Sequence, residues 1–135
     1  MLILSIDTSA IASAALLTGE GETLAAFATQ DTRSHAEVLA PGIQNLLETA
    51  GVTSAGIDAV VVGVGPGPFT GLRSGIATAR TLGFAWQKPV HGVMSLDAIA
   101  ADAALDAWRV GVDEFVVATD ARRREVYWAH YRSTG

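Results

Sequence analysis

The sequence contains no cysteine, so disulfide bonds, thiolate metal sites and cysteine nucleophiles are all excluded. Histidine is scarce, and none of the three has a partner at a spacing that builds a metal site. Charged residues make up only 17% of the chain, and the net charge of −5 argues against direct nucleic-acid binding by this chain alone. Because half of the residues are hydrophobic, some apolar surface is expected to be covered by a partner.

Long hydrophobic runs are also missing. No uncharged apolar span reaches the roughly 18 residues that a transmembrane helix needs, and the N-terminal segment lacks the basic region of a signal peptide. The sequence therefore predicts a cytoplasmic protein without a membrane partner. Its 135 residues suffice for one domain with a core, or for one lobe and part of a second.

The stretch from Val60 to Gly75 is predicted to be a buried strand, a tight turn and the start of a helix. Four of its first five residues are valine, which is typical of a strand covered on both faces. The Gly-Pro-Gly-Pro sequence at 65–68 ends the strand, and Thr70 is the expected N-cap of the helix. Neither the Walker loop nor the G-x-G-x-x-G pattern matches, so a looser anion site and a purely structural turn both stay open.

The helix after this turn carries a small residue at every fourth position, at Gly71, Gly75, Ala79 and Gly83. Glycine inside a helix costs about 1 kcal/mol relative to alanine, so a compensating close approach is expected along this stripe. A stripe of small residues allows another backbone to approach along the i±4 ridge. That backbone belongs either to the chain's own sheet or to another subunit, and the sequence favours neither.

The order of predicted elements indicates an α/β fold. Apolar runs at 2–6, 12–17 and 23–28 predict an antiparallel meander, and a helix interrupted by Pro41 follows over 34–50, with residues 34 and 37 at capping-box spacing. The valine strand, the small-residue helix, a strand at 89–93 and a helix capped by Ser95 that continues to about residue 104 come next. Strands that alternate with helices after a meander indicate a mixed five-stranded sheet flanked by helices.

Two predicted strand ends carry an aspartate. Asp7 ends the first strand and is followed by Thr8 and Ser9, and Asp120 stands at the turn of a hairpin over 115–131. Two interpretations of Asp7 stay open. It is either a turn residue whose side chain hydrogen-bonds the local backbone, or a carboxylate displayed to a ligand. The three consecutive arginines at 122–124 favour a solvated turn over an RNA-binding patch.

Four segments together resemble the TsaB (YeaZ) family: residues 6–9, 33–37, 65–75 and 120–127. The run at 65–75 is the most specific, and it departs from the family in carrying Pro68 where serine is usual. The resemblance implies an actin/Hsp70-like, ribonuclease-H-like fold, with a first lobe at 1–108 and the first hairpin of a second lobe at 109–135. Family members are longer, so the chain resembles a truncated member.

The resemblance also implies a non-catalytic scaffold that supports a TsaD-like catalytic subunit, beside a TsaE-like ATPase. The reaction would be threonylcarbamoyl transfer to a tRNA adenosine beside the anticodon. Alone, such a chain would form a homodimer, and it would meet tRNA only indirectly. The implied partner-binding residues lie on helices 34–50 and 70–86: His35, Leu39, Pro41, Ile43, Leu46, Gly71, Leu72, Gly75, Ile76, Ala79 and Gly83.

Related TsaD subunits hold a metal with an H-x-x-x-H pair, whereas here Leu39 stands four residues after His35. The resemblance therefore implies no metal site, no cofactor and no metallopeptidase activity. The alternative hypothesis is an ATP-using enzyme of the actin/Hsp70 superfamily. In that case residues 7–9 would lie near the phosphates with Asp120 across the cleft, and a nucleotide at a subunit junction is a further alternative.

Overall fold

The computed structural model describes residues 1–30 and 35–132. The strands are β1 (Leu2–Asp7), β2 (Ser13–Thr18), β3 (Thr23–Ala28), β4 (Ala59–Gly63), β5 (Val90–Val93), β6 (Glu114–Arg122) and β7 (Glu125–Arg132), and the helices are α1 (His35–Ala50), α2 (Phe69–Trp86) and α3 (Ser95–Arg109). The first sheet has five strands in the order β3-β2-β1-β4-β5, and β6 pairs with β7 separately. β1, β4 and β5 run parallel, whereas β2 and β3 are antiparallel to their neighbours. The predicted mixed five-stranded sheet flanked by helices is confirmed.

One face of the five-stranded sheet packs on α1 and α2 and forms the main hydrophobic core. Successive side chains of a strand point to opposite faces, so alternate residues of β1 enter this core. Leu4 and Ile6 are enclosed there together with Val60 of β4, and Leu39 of α1 lies against them. The valine run is therefore a central strand, as its β-branched composition predicted.

The opposite face of the same sheet carries small side chains and is only partly covered. Ser5 of β1, Ser13 and Ala15 of β2, and Ala26 of β3 line an open cleft of about 390 Å³ on this side. The two faces thus differ in side-chain size as well as in burial.

The β6–β7 hairpin and α3 share a second, smaller core. Leu96 and Ala100 of α3 pack with Val117 of β6, and the ring of Phe115 stacks on Tyr131 at 5.8 Å. The Tyr131 hydroxyl also donates a 2.5 Å hydrogen bond to Oδ1 of Asp97 in the first turn of α3. α3 thus packs on the hairpin and belongs to the second core, not to the main one. The domain boundary between residues 108 and 109 stays a prediction.

Two expectations about helix ends need correction. α2 begins at Phe69 with Pro68 at the N-cap position, so Thr70 lies in the first turn and is not the cap. Ser95 is the first residue of α3, with Met94 at the N-cap position, and this helix continues to Arg109. The expected capping box before α1 involves residue 34, which lies outside the described residues. Within the described ranges, no helix combines the length and apolar character that a membrane crossing requires.

Candidate functional site

The alternation of β1 separates the residues that we predicted to act together at its end. Thr8 follows Leu4 and Ile6 onto the α1/α2 side and is completely buried, with 0% of its surface exposed. Asp7 points to the other side, where it lines a cleft with Ser9. The Thr8 side chain is thus enclosed behind the sheet, and the hypothesis that residues 7–9 lie near the phosphates of a nucleotide stays a prediction.

The Thr8 hydroxyl instead joins β1 to α2. Its Oγ1 donates a hydrogen bond of 2.5 Å to the Gly71 carbonyl oxygen and accepts one of 3.0 Å from the Gly75 N–H. A Cβ on Gly75 would collide with this same oxygen, so only glycine allows α2 to approach so closely. Farther along α2, a Cβ on Gly83 would collide with a methyl group of Val90 on β5.

The small-residue stripe of α2 thus faces the chain's own sheet, which decides between the two alternatives that the sequence left open. Gly71, Gly75, Ala79 and Gly83 are all buried. Their role as direct partner contacts stays a prediction, although Thr8 and Val90 already fill the space in front of Gly75 and Gly83. The sequence could not show this, because the stripe specifies a close approach without specifying what approaches.

The other predicted partner residues divide by burial. Leu39, Ile43 and Leu46 belong to the main core, with exposed fractions of 0%, 3% and 4%, because the apolar stripe of α1 also faces inward. Ile43 also lines a groove between α1 and α2, and partner contacts by Leu39 and Leu46 stay a prediction. Ile76 is partly buried against that core and Pro41 is exposed.

Two predicted contacts have outcomes of their own. Leu72 is partly buried, and its side chain lies close to Gly65 in the turn before α2. His35 is the first residue of α1, and its side chain lies outside the described part of the structure.

An outward-facing apolar groove runs between α1 and α2, and we call it the α1/α2 groove. It encloses about 250 Å³ and is lined by Ala40, Ile43, Gln44, Leu47, Thr78, Leu82 and Trp86. On a different face of α2, Phe84 has 87% of its surface exposed. Leu82, Phe84 and Trp86 were not predicted as contacts. The usable signal for the groove was that Thr78, Leu82 and Trp86 recur at every fourth position of α2 and so share one face of the helix.

A second cleft lies between the five-stranded sheet and α3, at the C-terminal ends of β1 and β4, and we call it the Asp7 cleft. It has a volume of about 360 Å³ and is lined by Ser5, Ile6, Asp7, Ser9, Val61, Gly63, Val93, Ser95, Ala98 and Ile99. One carboxylate oxygen of Asp7, Oδ2, accepts a 2.7 Å hydrogen bond from the Ser9 hydroxyl. Asp120 lies on β6 and is not among the lining residues. The structure therefore brings Asp7 and Ser9 together, and it does not bring Thr8 or Asp120 to the same cleft.

The mixed sheet, its helices and the separate hairpin define an α/β protein built on a ribonuclease-H-like, actin-like lobe. The family model for TsaD, tRNA N6-adenosine threonylcarbamoyltransferase, matches residues 23–135. The chain belongs to this family, and within it to the TsaB (YeaZ) proteins. This confirms the resemblance that the four sequence segments indicated.

Three relatives illustrate the match. An uncharacterized protein of Mycobacterium tuberculosis is 47% identical over 96% of this chain and 58% of its own length. The tRNA threonylcarbamoyladenosine biosynthesis protein TsaB of Escherichia coli is 38% identical over 98% of this chain and 55% of its own length. The solved structure of YeaZ from Pseudomonas aeruginosa has 39% identity and a TM-score of 0.82, over 97% of this chain and 60% of that one. The chain thus spans somewhat more than half the length of these relatives.

Proposed function

We propose that this chain is a non-catalytic subunit that binds a TsaD-like catalytic subunit during threonylcarbamoyl transfer to tRNA adenosine beside the anticodon. The printed name of the Escherichia coli relative supports the pathway, and the match to the TsaD model supports a partner of related fold. The observation that carries the proposal is the α1/α2 groove, which is apolar and opens away from the sheet.

A second exposed apolar surface on α2 also favours a protein partner. Phe84 is 87% exposed on α2, and full burial of a side chain of this type contributes about 1.5–3 kcal/mol. Exposed aromatic side chains are typical anchors of protein interfaces. Arg73, nearer the start of α2, lies over the exposed ring of Phe69 at 4.3 Å, which adds a second aromatic group to the same helix.

The non-catalytic assignment rests on residue types rather than on an empty site. Leu39 stands where the second histidine of the H-x-x-x-H pair would be, and its side chain is fully enclosed in the main core. A ligand at this position would have to leave the core. The proposed complex further contains a TsaE-like ATPase, and tRNA would reach this chain only through the other subunits.

The same groove offers a way for two copies to pair when the partner is absent. Two-fold dimers use one patch on both subunits, so an apolar groove on the surface suits self-association. The homodimer is therefore part of this proposal, and a cytoplasmic location follows from the tRNA substrate of the complex.

The ATP-using alternative finds less support. Thr8 is enclosed, and the residues lining the Asp7 cleft include no lysine, arginine or histidine that would face a phosphate. An anionic ligand would instead meet the carboxylate of Asp7 without compensation. Calorimetry with ATP and Mg²⁺ tests this alternative, and we expect no heat at millimolar nucleotide.

The experiment for the proposed function compares two surface substitutions by co-purification with the TsaD-like subunit of the same organism. Ala40→Glu places a charge in the α1/α2 groove, which Ala40 lines from an exposed position on α1, and should abolish both co-elution and self-association. Ala118→Glu is the matched control, since Ala118 is exposed on β6, away from both helices of the groove. This variant should bind like the wild type. Equal binding of both variants would reject the groove as the interface, and loss of binding in both would point to a nonspecific effect.

A further inference from the structure

The side of α2 that points away from the sheet combines arginine and aromatic side chains. Its residues follow one another at intervals of three or four positions, so they share one side of the helix. We call this side the outer face of α2, and it consists of Phe69, Arg73, Ala77, Arg80 and Phe84. All five residues are exposed. The outer face is separate from the α1/α2 groove, which other residues of α2 line.

The charge of α2 differs from that of the other two α-helices. It contains two arginines and no acidic residue, whereas α1 and α3 both carry acidic residues. The ion pairs among the described residues involve Arg109, His130 and Arg132, so Arg73 and Arg80 have no carboxylate partner there. In a chain with a net charge of −5, the outer face of α2 is therefore a local positive patch.

Arg73 is already held in position. Its guanidinium carbon lies 4.3 Å from the centre of the Phe69 ring, one helical turn earlier. An arginine stacked on an aromatic ring keeps N–H groups at the edge of its plane, where they bind a carboxylate in a bidentate manner. Because the side chain is ordered beforehand, less conformational entropy is lost when a partner binds.

The spacing on the outer face fits a second helix. Arg73 and Arg80 are seven residues apart, which is two turns or about 10.5 Å, and the small side chain of Ala77 lies between them. A partner helix with carboxylates at the same spacing meets both arginines at once and approaches closely over Ala77. Phe84, which is 87% exposed, then contacts an apolar side chain of the same partner.

Nucleic acid is the competing class of partner, because phosphates also bind arginine. A polyanion with one charge per nucleotide is repelled by the net charge of −5 more strongly than a helix with a few carboxylates. The guanidinium of Arg73 also occupies one face of the Phe69 ring, on which a base would stack. The observations therefore favour a protein.

We propose that the outer face of α2 binds an acidic α-helical segment of another protein. Two carboxylates of that segment pair with Arg73 and Arg80, and its backbone lies close to Ala77. This inference goes beyond the proposed function, because it concerns a surface other than the α1/α2 groove. It stands whether or not the groove binds a TsaD-like subunit.

The test is a titration of the 135-residue chain with a blocked, alanine-rich helical peptide of about 20 residues, a length at which such helices form in water. The peptide carries two glutamates seven positions apart and a leucine one turn after the second. ¹H–¹⁵N NMR at constant ionic strength should show saturable shifts at the amides of Arg73, Ala77, Arg80 and Phe84. Equal saturation by a peptide with glutamine in place of glutamate would show merely apolar binding and overturn the proposal.

Two further probes separate charge from spacing and protein from nucleic acid. A peptide of the same composition with its glutamates five positions apart places them on different sides of its helix and should bind more weakly. Equal affinity for both spacings would reject the paired contact with the two arginines. An oligouridylate should give no saturation. Saturation by oligouridylate and not by the peptide would assign the face to single-stranded nucleic acid and overturn the proposal.

Substitutions then locate the site. Arg80→Gln should weaken peptide binding by at least about tenfold, because a charge-assisted pair is lost, whereas Arg109→Gln on α3 should leave it unchanged. Ala77→Leu blocks the close approach without changing the charge and should also weaken binding. Ala101→Leu makes the same change at an exposed position of α3 and should not. Unchanged binding in Arg80→Gln and in Ala77→Leu would reject the outer face as the site.

Discussion

The two faces of α2 are built from opposite kinds of residue. The inner face carries Gly71, Gly75, Ala79 and Gly83 and lies on the sheet, whereas the outer face exposes Phe84. Glycine inside a helix is unfavourable, so the small-residue stripe needs a compensating contact. In this structure the contact is internal, because the stripe lies against the chain's own sheet.

A small-residue stripe therefore indicates that another segment packs closely against the helix, but it does not indicate which chain that segment belongs to. Thr8 and Val90 fill the space in front of Gly75 and Gly83, so the approach is between α2 and its own sheet. Substitutions on the inner face should therefore act on folding, and those on the outer face on association. The following predictions test this separation, beginning with the largest expected effect.

Gly75→Leu should be the most damaging change. A leucine side chain has no space beside the Thr8 hydroxyl, so α2 must move away from β1. We expect a loss of more than about 3 kcal/mol in the free energy of unfolding. Urea denaturation measures it. A folded variant of normal stability that only fails to associate would restore the stripe as a partner surface.

Thr8→Val should come next. Valine keeps the shape of threonine but removes both hydrogen bonds, leaving the Gly71 carbonyl oxygen and the Gly75 N–H without the hydroxyl. The expected loss is about 1–3 kcal/mol in the free energy of unfolding. Thr8→Ser is the control, since it retains the hydroxyl and should lose less. If serine and valine destabilise equally, the packing of the methyl group matters more than the hydrogen bonds.

Neighbouring positions of α2 allow a matched comparison of the two faces. Alanine normally stabilises a helix over glycine by about 1 kcal/mol, yet Gly83→Ala should destabilise because its Cβ meets Val90. A net loss of about 1–2 kcal/mol is expected, and adding Val90→Ala should reduce the clash. Phe84→Ser, one residue away on the outer face, should change the free energy of unfolding by no more than about 0.5 kcal/mol. Stabilisation by Gly83→Ala would contradict the close packing of α2 on β5.

The smallest effect is expected far from α2, in the second core. The hydrogen bond to Asp97, followed by burial and by the Asp97 charge, raises the pKa of Tyr131 from its ordinary 10.0 to about 12. A pKa that is higher in the folded state favours the protonated tyrosine, so this contribution is complete below pH 10 and is lost as the pH rises toward 12.

Thermal unfolding between pH 9 and pH 12 measures this contribution, with Tyr131→Phe as the reference variant. The wild type should lose its advantage over Tyr131→Phe as the pH rises through this range. Association through the α1/α2 groove should stay unchanged in this variant, since Tyr131 lies on β7. If the stability difference between the wild type and Tyr131→Phe stays constant with pH, the raised pKa of Tyr131 is contradicted.

Local patterns predicted most of the fold. The meander, the valine strand and the helices follow from alternation, β-branched runs and helical periodicity, and all of them occur near the expected positions. The helix ends were less predictable: Thr70 was expected to cap α2, but the helix already begins at Phe69. Capping depends on the path of the preceding turn, which residue preferences alone do not specify.

The candidate sites were predicted less well than the fold. Asp7 and Thr8 are adjacent in sequence and were expected to act together, but the pleat of β1 sends them to opposite faces. Conversely, Asp7 and Ser95 are far apart in sequence, and only the parallel alignment of the strands and the position of α3 bring them to one cleft. A site composed of distant residues has no signal in any local pattern.

The sequence by itself determined which segments form strands and helices, and it marked α2 as a helix that something approaches closely. The tertiary structure alone decided what that is, because the Thr8 hydroxyl that meets the Gly75 amide comes from 67 residues earlier in the chain. Local preferences act over one or two turns of helix, whereas the choice of packing partner depends on how all the elements bury their apolar faces together.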